Sequence, residues 1–259
     1  MRSKNLSILF LLFFVIISVP QANAFWGFAF KTVKAISAIS KNAKVLSKDE
    51  IIRLSKLLNE VKGTKKVGKE LAKLNLPEDV LEDTFLRIAI YQKKLTRKEA
   101  EEMFSRLSGT PGFHKTLRKI IGQSEKVTKG HLNELRIADA ASKNGFKVVG
   151  IGERFVDGIK KSPTDIDIVL KKGGKKFAIE AKDYDQKIPM DKFRADLDTL
   201  VAYKRSNNSV IPVFTITKKP DDIRYLERLK YEAKKRGVQL IFGNPGEQIE
   251  QIKMLEKIL

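Results

Sequence analysis

The chain has 259 residues, enough for one large domain or two smaller ones, and it carries a formal net charge of +20. It contains no Cys and only two His, which excludes zinc fingers, thiol chemistry and sites built from His clusters. The positive excess favours polyanionic partners, nucleic acid above all, because neutralising phosphates releases counterions. A lysine-rich surface that serves only solubility is the alternative.

The first 24 residues have the pattern of a secretory signal peptide. Arg2 and Lys4 form a basic start, residues 6–19 are almost wholly apolar, and an Ala-Asn-Ala run ends at Ala24. A retained anchor is less favoured, since this run is shorter than the ~20 residues that span a bilayer. We expect cleavage after Ala24, a mature chain without a stable membrane span, and export to the periplasm or the extracellular space.

Residues 25–125 are predicted to form an all-helical N-terminal domain of unknown role. An aromatic and basic stretch over 25–46 indicates an amphipathic helix, which either contacts membranes during delivery or packs on the helices that follow. Helical periodicity continues to Ser124, and Thr96 followed by Glu99 predicts a capping box.

Residues 126–259 alternate helix and strand, which is typical of an α/β domain. Gly173-Gly174 is a hairpin turn pattern between two of the strands. The predicted elements are a helix over 132–144, strands over 146–150, 164–170 and 177–182, a helix over 193–203, a strand over 210–217, a helix opened by residues 220–222, a strand over 238–242 and a final helix.

Acidic and basic side chains are grouped on the two strands joined by this turn. Side chains two apart share one face of a strand, which pairs Asp165 with Asp167 and Glu180 with Lys182. A short turn requires antiparallel pairing, so the carboxylates of Asp167 and Glu180 are expected to approach each other. Two carboxylates on rigid neighbouring strands suit Mg²⁺, with Mn²⁺ as the alternative.

Such a site has the parts that phosphodiester hydrolysis needs: an activated water, a Lewis acid and help for the charge that develops on the leaving oxygen. Lys182 either positions or deprotonates the attacking water, if its surroundings lower its pKa, or stabilises the transition state as a fixed cation. The sequence leaves both roles open.

Asp167, followed after the Gly-Gly turn by Glu180-Ala181-Lys182, resembles the D…ExK signature of the PD-(D/E)xK nucleases. The preceding helix, which carries Glu134, is similar to their leading helix, whose acidic residue often joins the metal site. Ile166 stands where many members have Pro. The likeness covers roughly residues 130–243.

The resemblance implies a restriction-endonuclease-like mixed sheet flanked by helices. It also implies that Glu134, Asp167, Glu180 and Lys182 are catalytic and that the three carboxylates are metal ligands. An ExK triplet alone is weak evidence, since Glu60-Val61-Lys62 and the triplet at residues 232–234 occur in helical patterns. The alternative is a solvated sheet face with cross-strand ion pairs.

Several neighbours have less defined roles. Asp165 is expected to lie next to the metal ligands without binding the metal itself. His131 lies one helical turn from Glu134. Lys192 and Arg194, on the helix after the ExK strand, are candidates for contact with the substrate backbone, although most such residues are merely solvated.

The sequence therefore predicts a secreted, Mg²⁺-dependent nuclease acting on DNA, in the manner of a toxin or effector with a separate immunity protein. One alternative is an exported basic protein that binds nucleic acid on an inactive nuclease-like scaffold. Another is an interaction protein that works through its helical half.

Overall fold

The computed structural model describes residues 77–122, 125–156, 163–184 and 187–258. The predicted signal peptide, the amphipathic stretch over 25–46 and the helical run up to residue 76 lie outside these ranges. Seven helices and five strands occur in the described part of the chain. They are α1 (Glu78–Tyr91), α2 (Arg97–Leu107), α3 (Phe113–Gly122), α4 (Glu125–Lys143), β1 (Lys147–Phe155), β2 (Thr164–Lys172), β3 (Lys175–Lys182), α5 (Met190–Ser206), β4 (Val210–Ile216), α6 (Ile223–Lys235), β5 (Gln239–Phe242) and α7 (Pro245–Ile258).

The described residues fall into two compact units, with the boundary between Glu101 and Glu102. In the first unit, α1 begins after Pro77 with acidic residues in its first turn, which suits the positive end of the helix dipole. The predicted capping box is confirmed, since the Thr96 N–H donates to Glu99 Oε2 at 2.8 Å and the Glu99 N–H donates to Thr96 Oγ1 at 3.2 Å.

The second unit contains a mixed five-stranded sheet in the order β1-β2-β3-β4-β5. The β1-β2 and β2-β3 pairs are antiparallel, and the β3-β4 and β4-β5 pairs are parallel. Gly173 and Gly174 both have positive φ, at 55° and 78°, as a two-residue type I′ turn requires. The predicted antiparallel hairpin and the α/β alternation are therefore confirmed, with β1 and α4 longer than expected.

Helices cover both faces of the sheet. On one face, Val169 and Ala178 belong to a buried cluster with apolar side chains of α5 and α6. Side chains alternate along β3, so Phe177 faces the other way, where its ring meets Phe146 edge to face at 6.0 Å. Helix α4 packs there on β1, β2 and β3, and α7 packs on α4. None of the helices in the described ranges is long and apolar enough to cross a membrane.

Candidate active site

Asp167 lies on β2 beside the strand that carries Glu180 and Lys182. The register pairs Ile168 with Ile179, so the next position sets Asp167 against Glu180. Oδ2 of Asp167 accepts a 2.8 Å hydrogen bond from the backbone N–H of Ala181. The structure thus brings together the three residues of the predicted D…ExK pattern.

Burial changes the chemistry of both carboxylates. Glu180 is only 6% exposed, and its Cα partner on β4 is the buried Phe214. Desolvation by burial raises the pKa of Glu180 to about 7, opposed by Lys182 and assisted by the charge of Asp196. Desolvation, followed by the charges of Glu180 and Glu134, raises the pKa of Asp167 well above its ordinary value. A solvated sheet face would not produce these shifts.

Lys182 is held between two carboxylates. Its ammonium donates a hydrogen bond to Glu180 Oε1 and lies 3.3 Å from Asp196 Oδ2. Burial alone would lower the pKa of this side chain, which is 16% exposed, but the charges of Glu180, Asp167 and Asp196 raise it above its ordinary value. Lys182 is therefore a fixed cation at neutral pH.

Glu134 approaches the site from α4. It is buried, and its charge contributes to the raised pKa of Asp167, after burial and Glu180. Nδ1 of His131, one turn earlier, lies 2.9 Å from Glu134 Oε1. The oxygens of Glu134, Asp167 and Glu180 do not all lie within 4.8 Å of one another. Glu134 thus belongs to the electrostatic environment of the site without completing a closed set of three ligand atoms.

Asp165 and Asp183, the other acidic residues next to the D…ExK residues in sequence, differ in their contacts. Asp165 is exposed, and its charge is a minor contributor to the raised pKa of Glu180 after burial and nearer groups. Asp183 accepts a 2.7 Å hydrogen bond from Thr217 Oγ1 and lies 3.6 Å from Lys129 Nζ. These contacts tie the end of β3 to β4 and α4.

The two basic residues on α5 already have protein partners. Arg194 donates to Glu232 Oε1 from Nε at 3.0 Å and from Nη2 at 2.8 Å. Lys192 Nζ lies 2.6 Å from the hydroxyl of Tyr184. Contact between Arg194 and a substrate would have to compete with its ion pair to Glu232.

Asp196 is the site residue that the sequence reasoning did not single out. It lies on the buried stripe of α5, three residues after Phe193 and four before Leu200, both fully buried. A carboxylate at such spacing on an otherwise apolar stripe was the available indication. The sequence alone does not show which strand residues face this stripe, so it could not identify Lys182 as the partner of Asp196.

The helical ExK copy at residues 232–234 lies on α6. Glu232 is bound there by Arg194 and by Arg236, and the first of these interactions lowers its pKa most. The pKa of Glu232 is therefore lowered, whereas that of Glu180 is raised. The other copy, at residues 60–62, lies outside the described residues.

An open groove of about 310 Å³ lies near the end of β3. Ile216, on its wall, is the Cα partner of Lys182, and the following residue, Thr217, donates its N–H to the Lys182 carbonyl at 3.0 Å. Its charged lining residues are Lys187, Lys218, Lys219, Asp221 and Asp222, and Lys187 pairs with Asp222 at 2.5 Å.

Comparison with known proteins gives no family for this chain: no family model, curated protein or solved structure matches it.

Proposed function

We propose that the chain is a metal-dependent nuclease with a restriction-endonuclease-like fold of the PD-(D/E)xK type. The observation that carries the proposal is the close association of Asp167, the buried Glu180 and Lys182, in which Asp167 is hydrogen-bonded to the residue between the other two. Neighbouring carboxylates with raised pKa values beside a lysine are a recurrent mark of a reactive site.

The residues fit a hard divalent cation. Asp167 and Glu180 offer carboxylate oxygens, and burial together with mutual repulsion raises the pKa of Asp167, a cost that a bound cation would offset. Mg²⁺, which binds proteins through one or two carboxylates and keeps several waters, suits this set, with Mn²⁺ as the alternative. When bound, such an ion polarises the phosphate and lowers the pKa of a bound water. Glu134 would contribute through its charge or through a water.

Lys182 acts in this proposal as a fixed cation. Burial alone would make the amine easier to deprotonate, but Glu180, Asp167 and Asp196 together raise its pKa. A charged ammonium beside the proposed metal ligands is suited to stabilising negative charge that develops on phosphate oxygens. The alternative role as a base requires a lowered pKa.

The proposed substrate is nucleic acid, with DNA as the first choice. The support is the net charge of +20 and the groove near the end of β3, whose lining carries three lysines and two aspartates. The N-terminal pattern supports export to the periplasm or the extracellular space. An exported nuclease would act on foreign nucleic acid, as a toxin or effector does, and its producer would need an immunity protein.

The proposal is tested by incubating purified protein with plasmid DNA and with RNA, in Mg²⁺ or in EDTA. Glu180→Ala and Lys182→Ala are expected to abolish Mg²⁺-dependent cleavage. Lys234→Ala is the matched control, because Lys234 is the exposed lysine of the helical ExK copy. Cleavage by both site variants at the wild-type rate would rule out the site. Salt-sensitive binding without products would favour an inactive scaffold that binds nucleic acid.

A further inference from the structure

A fourth carboxylate borders the D…ExK residues. Asp196 on α5 places Oδ2 3.3 Å from Lys182 Nζ, which is within ion-pair range. The same oxygen is buried and accepts no hydrogen bond from the described residues. Buried acceptors are nearly always hydrogen-bonded, so Lys182 has next to it a carboxylate oxygen with which it forms an ion pair but no hydrogen bond.

The ammonium of Lys182 and a bound divalent cation would compete for the carboxylate of Glu180. It donates to Glu180 Oε1, an oxygen of one of the two proposed metal ligands. A divalent cation and an ammonium on the same carboxylate repel each other strongly in a buried site. Binding of the cation through Glu180 therefore favours release of Lys182 from that oxygen.

We propose that Asp196 is a positioning residue that receives the Lys182 ammonium when Glu180 binds a divalent cation. This inference rests on the proposed function. Asp196 is held in place by its neighbours on α5, where Phe193 and Leu197 are fully buried, so the acceptor is present before the cation arrives. The transfer needs a change in the side chain of Lys182 and leaves its charge beside the cation, where charge on the phosphate develops.

The test is a double-mutant cycle on the full chain, with the affinity for Mn²⁺ alone measured by calorimetry without nucleic acid. Asp196→Asn is made in the wild-type background and in Lys182→Met. In the wild-type background it is expected to weaken Mn²⁺ binding by about tenfold, because Lys182 stays on Glu180. In the Lys182→Met background it is expected to have no effect, because no ammonium has to move. The cycle isolates the coupling between the two side chains.

Asp198→Asn is the matched control and should leave Mn²⁺ affinity unchanged, since Asp198 lies on the same helix and pairs with Arg236 at 2.7 Å. Asp196→Glu should restore affinity. If Lys182→Met does not unfold cooperatively, Lys182→Gln replaces it.

Two results would overturn the inference alone, provided that the wild type binds Mn²⁺ and cleaves. Equal weakening in both backgrounds would mean that Asp196 adds only negative potential, and unchanged affinity in the wild-type background would mean that it does not act on the cation site. A wild-type chain that neither binds Mn²⁺ nor cleaves nucleic acid would overturn the inference and the proposed function together.

Discussion

Asp167 Oδ2 accepts a 2.8 Å hydrogen bond from the backbone N–H of Ala181. Ala181 lies between Glu180 and Lys182, so this bond fixes the position of one carboxylate relative to the two side chains that flank its donor. It also favours the charged form of Asp167, against burial and two neighbouring carboxylates. The hydrogen bond from the neighbouring strand therefore stabilises the Asp167 carboxylate at a position where burial and nearby charges disfavour its charged form.

We expect Asp167→Asn to stabilise the fold while it abolishes cleavage. The amide oxygen can still accept the bond from Ala181, and the buried charge that Glu180 and Glu134 disfavour is removed. The free energy of unfolding at pH 8 in EDTA should rise by on the order of 1 kcal/mol. Denaturant unfolding measures this, with Asp198→Asn as the control that loses an exposed ion pair. A lower unfolding free energy for Asp167→Asn would show that its charge is not a source of strain.

Stability in EDTA should fall as the pH rises through the weakly acidic range. The pKa of Glu180 is raised from 4.5 to about 7 in the folded state, so between these values the folded chain binds more protons than the unfolded chain. The unfolding free energy then decreases with pH, by on the order of 1–3 kcal/mol in total. Asp167, with its raised pKa, contributes in the same direction.

This pH dependence is measured by denaturant unfolding at several pH values from 4.5 to 8. Glu180→Gln should have a shallower slope, because it lacks one of the two titrating carboxyls. Affinity for Mn²⁺ should increase over the same range as Glu180 loses its proton. A slope that Glu180→Gln leaves unchanged would contradict the assignment.

His131 is expected to act through Glu134. Its Nδ1 lies 2.9 Å from Glu134 Oε1, the arrangement in which an outer partner orients a carboxylate. His131→Ala should reduce Mg²⁺-dependent cleavage by about tenfold, and Glu134→Gln should reduce it at least as much. The double variant should be no slower than Glu134→Gln alone, as steady-state kinetics can show. Independent, multiplicative losses would mean that His131 has a role of its own.

Lys218 and Lys219 should contribute to the binding of nucleic acid without carrying out chemistry. Both are exposed and line the groove near the end of β3. Replacing both by Ala should reduce the slope of log affinity against log salt by about two, roughly one per lysine. Fluorescence anisotropy in EDTA measures the slope. The control is Lys230→Ala with Lys253→Ala, whose lysines pair with Glu227 and Glu250 on their own helices; an equal effect of both pairs would indicate only general charge.

Local patterns were sufficient for several elements of the described chain. Strand alternation around Glu180, the Gly173-Gly174 turn and the Thr96 capping box each depend on residues close in sequence, and each is confirmed. Element bounds were less accurate: α4 begins at Glu125, and β1 continues to Phe155 because its last residues pair with β2, which propensity alone does not specify.

The sequence by itself determined which side chains share a strand face, and hence that Asp167, Glu180 and Lys182 belong together, because the period of a strand and the geometry of a two-residue turn are local properties. Only the tertiary structure decided that the face is covered by α5, that Asp196 meets Lys182 there, and that the pKa of Lys182 is raised. Desolvation and the charges of Asp167 and Asp196 depend on how the other strand and α5 pack against β3, and no local pattern specifies those distances.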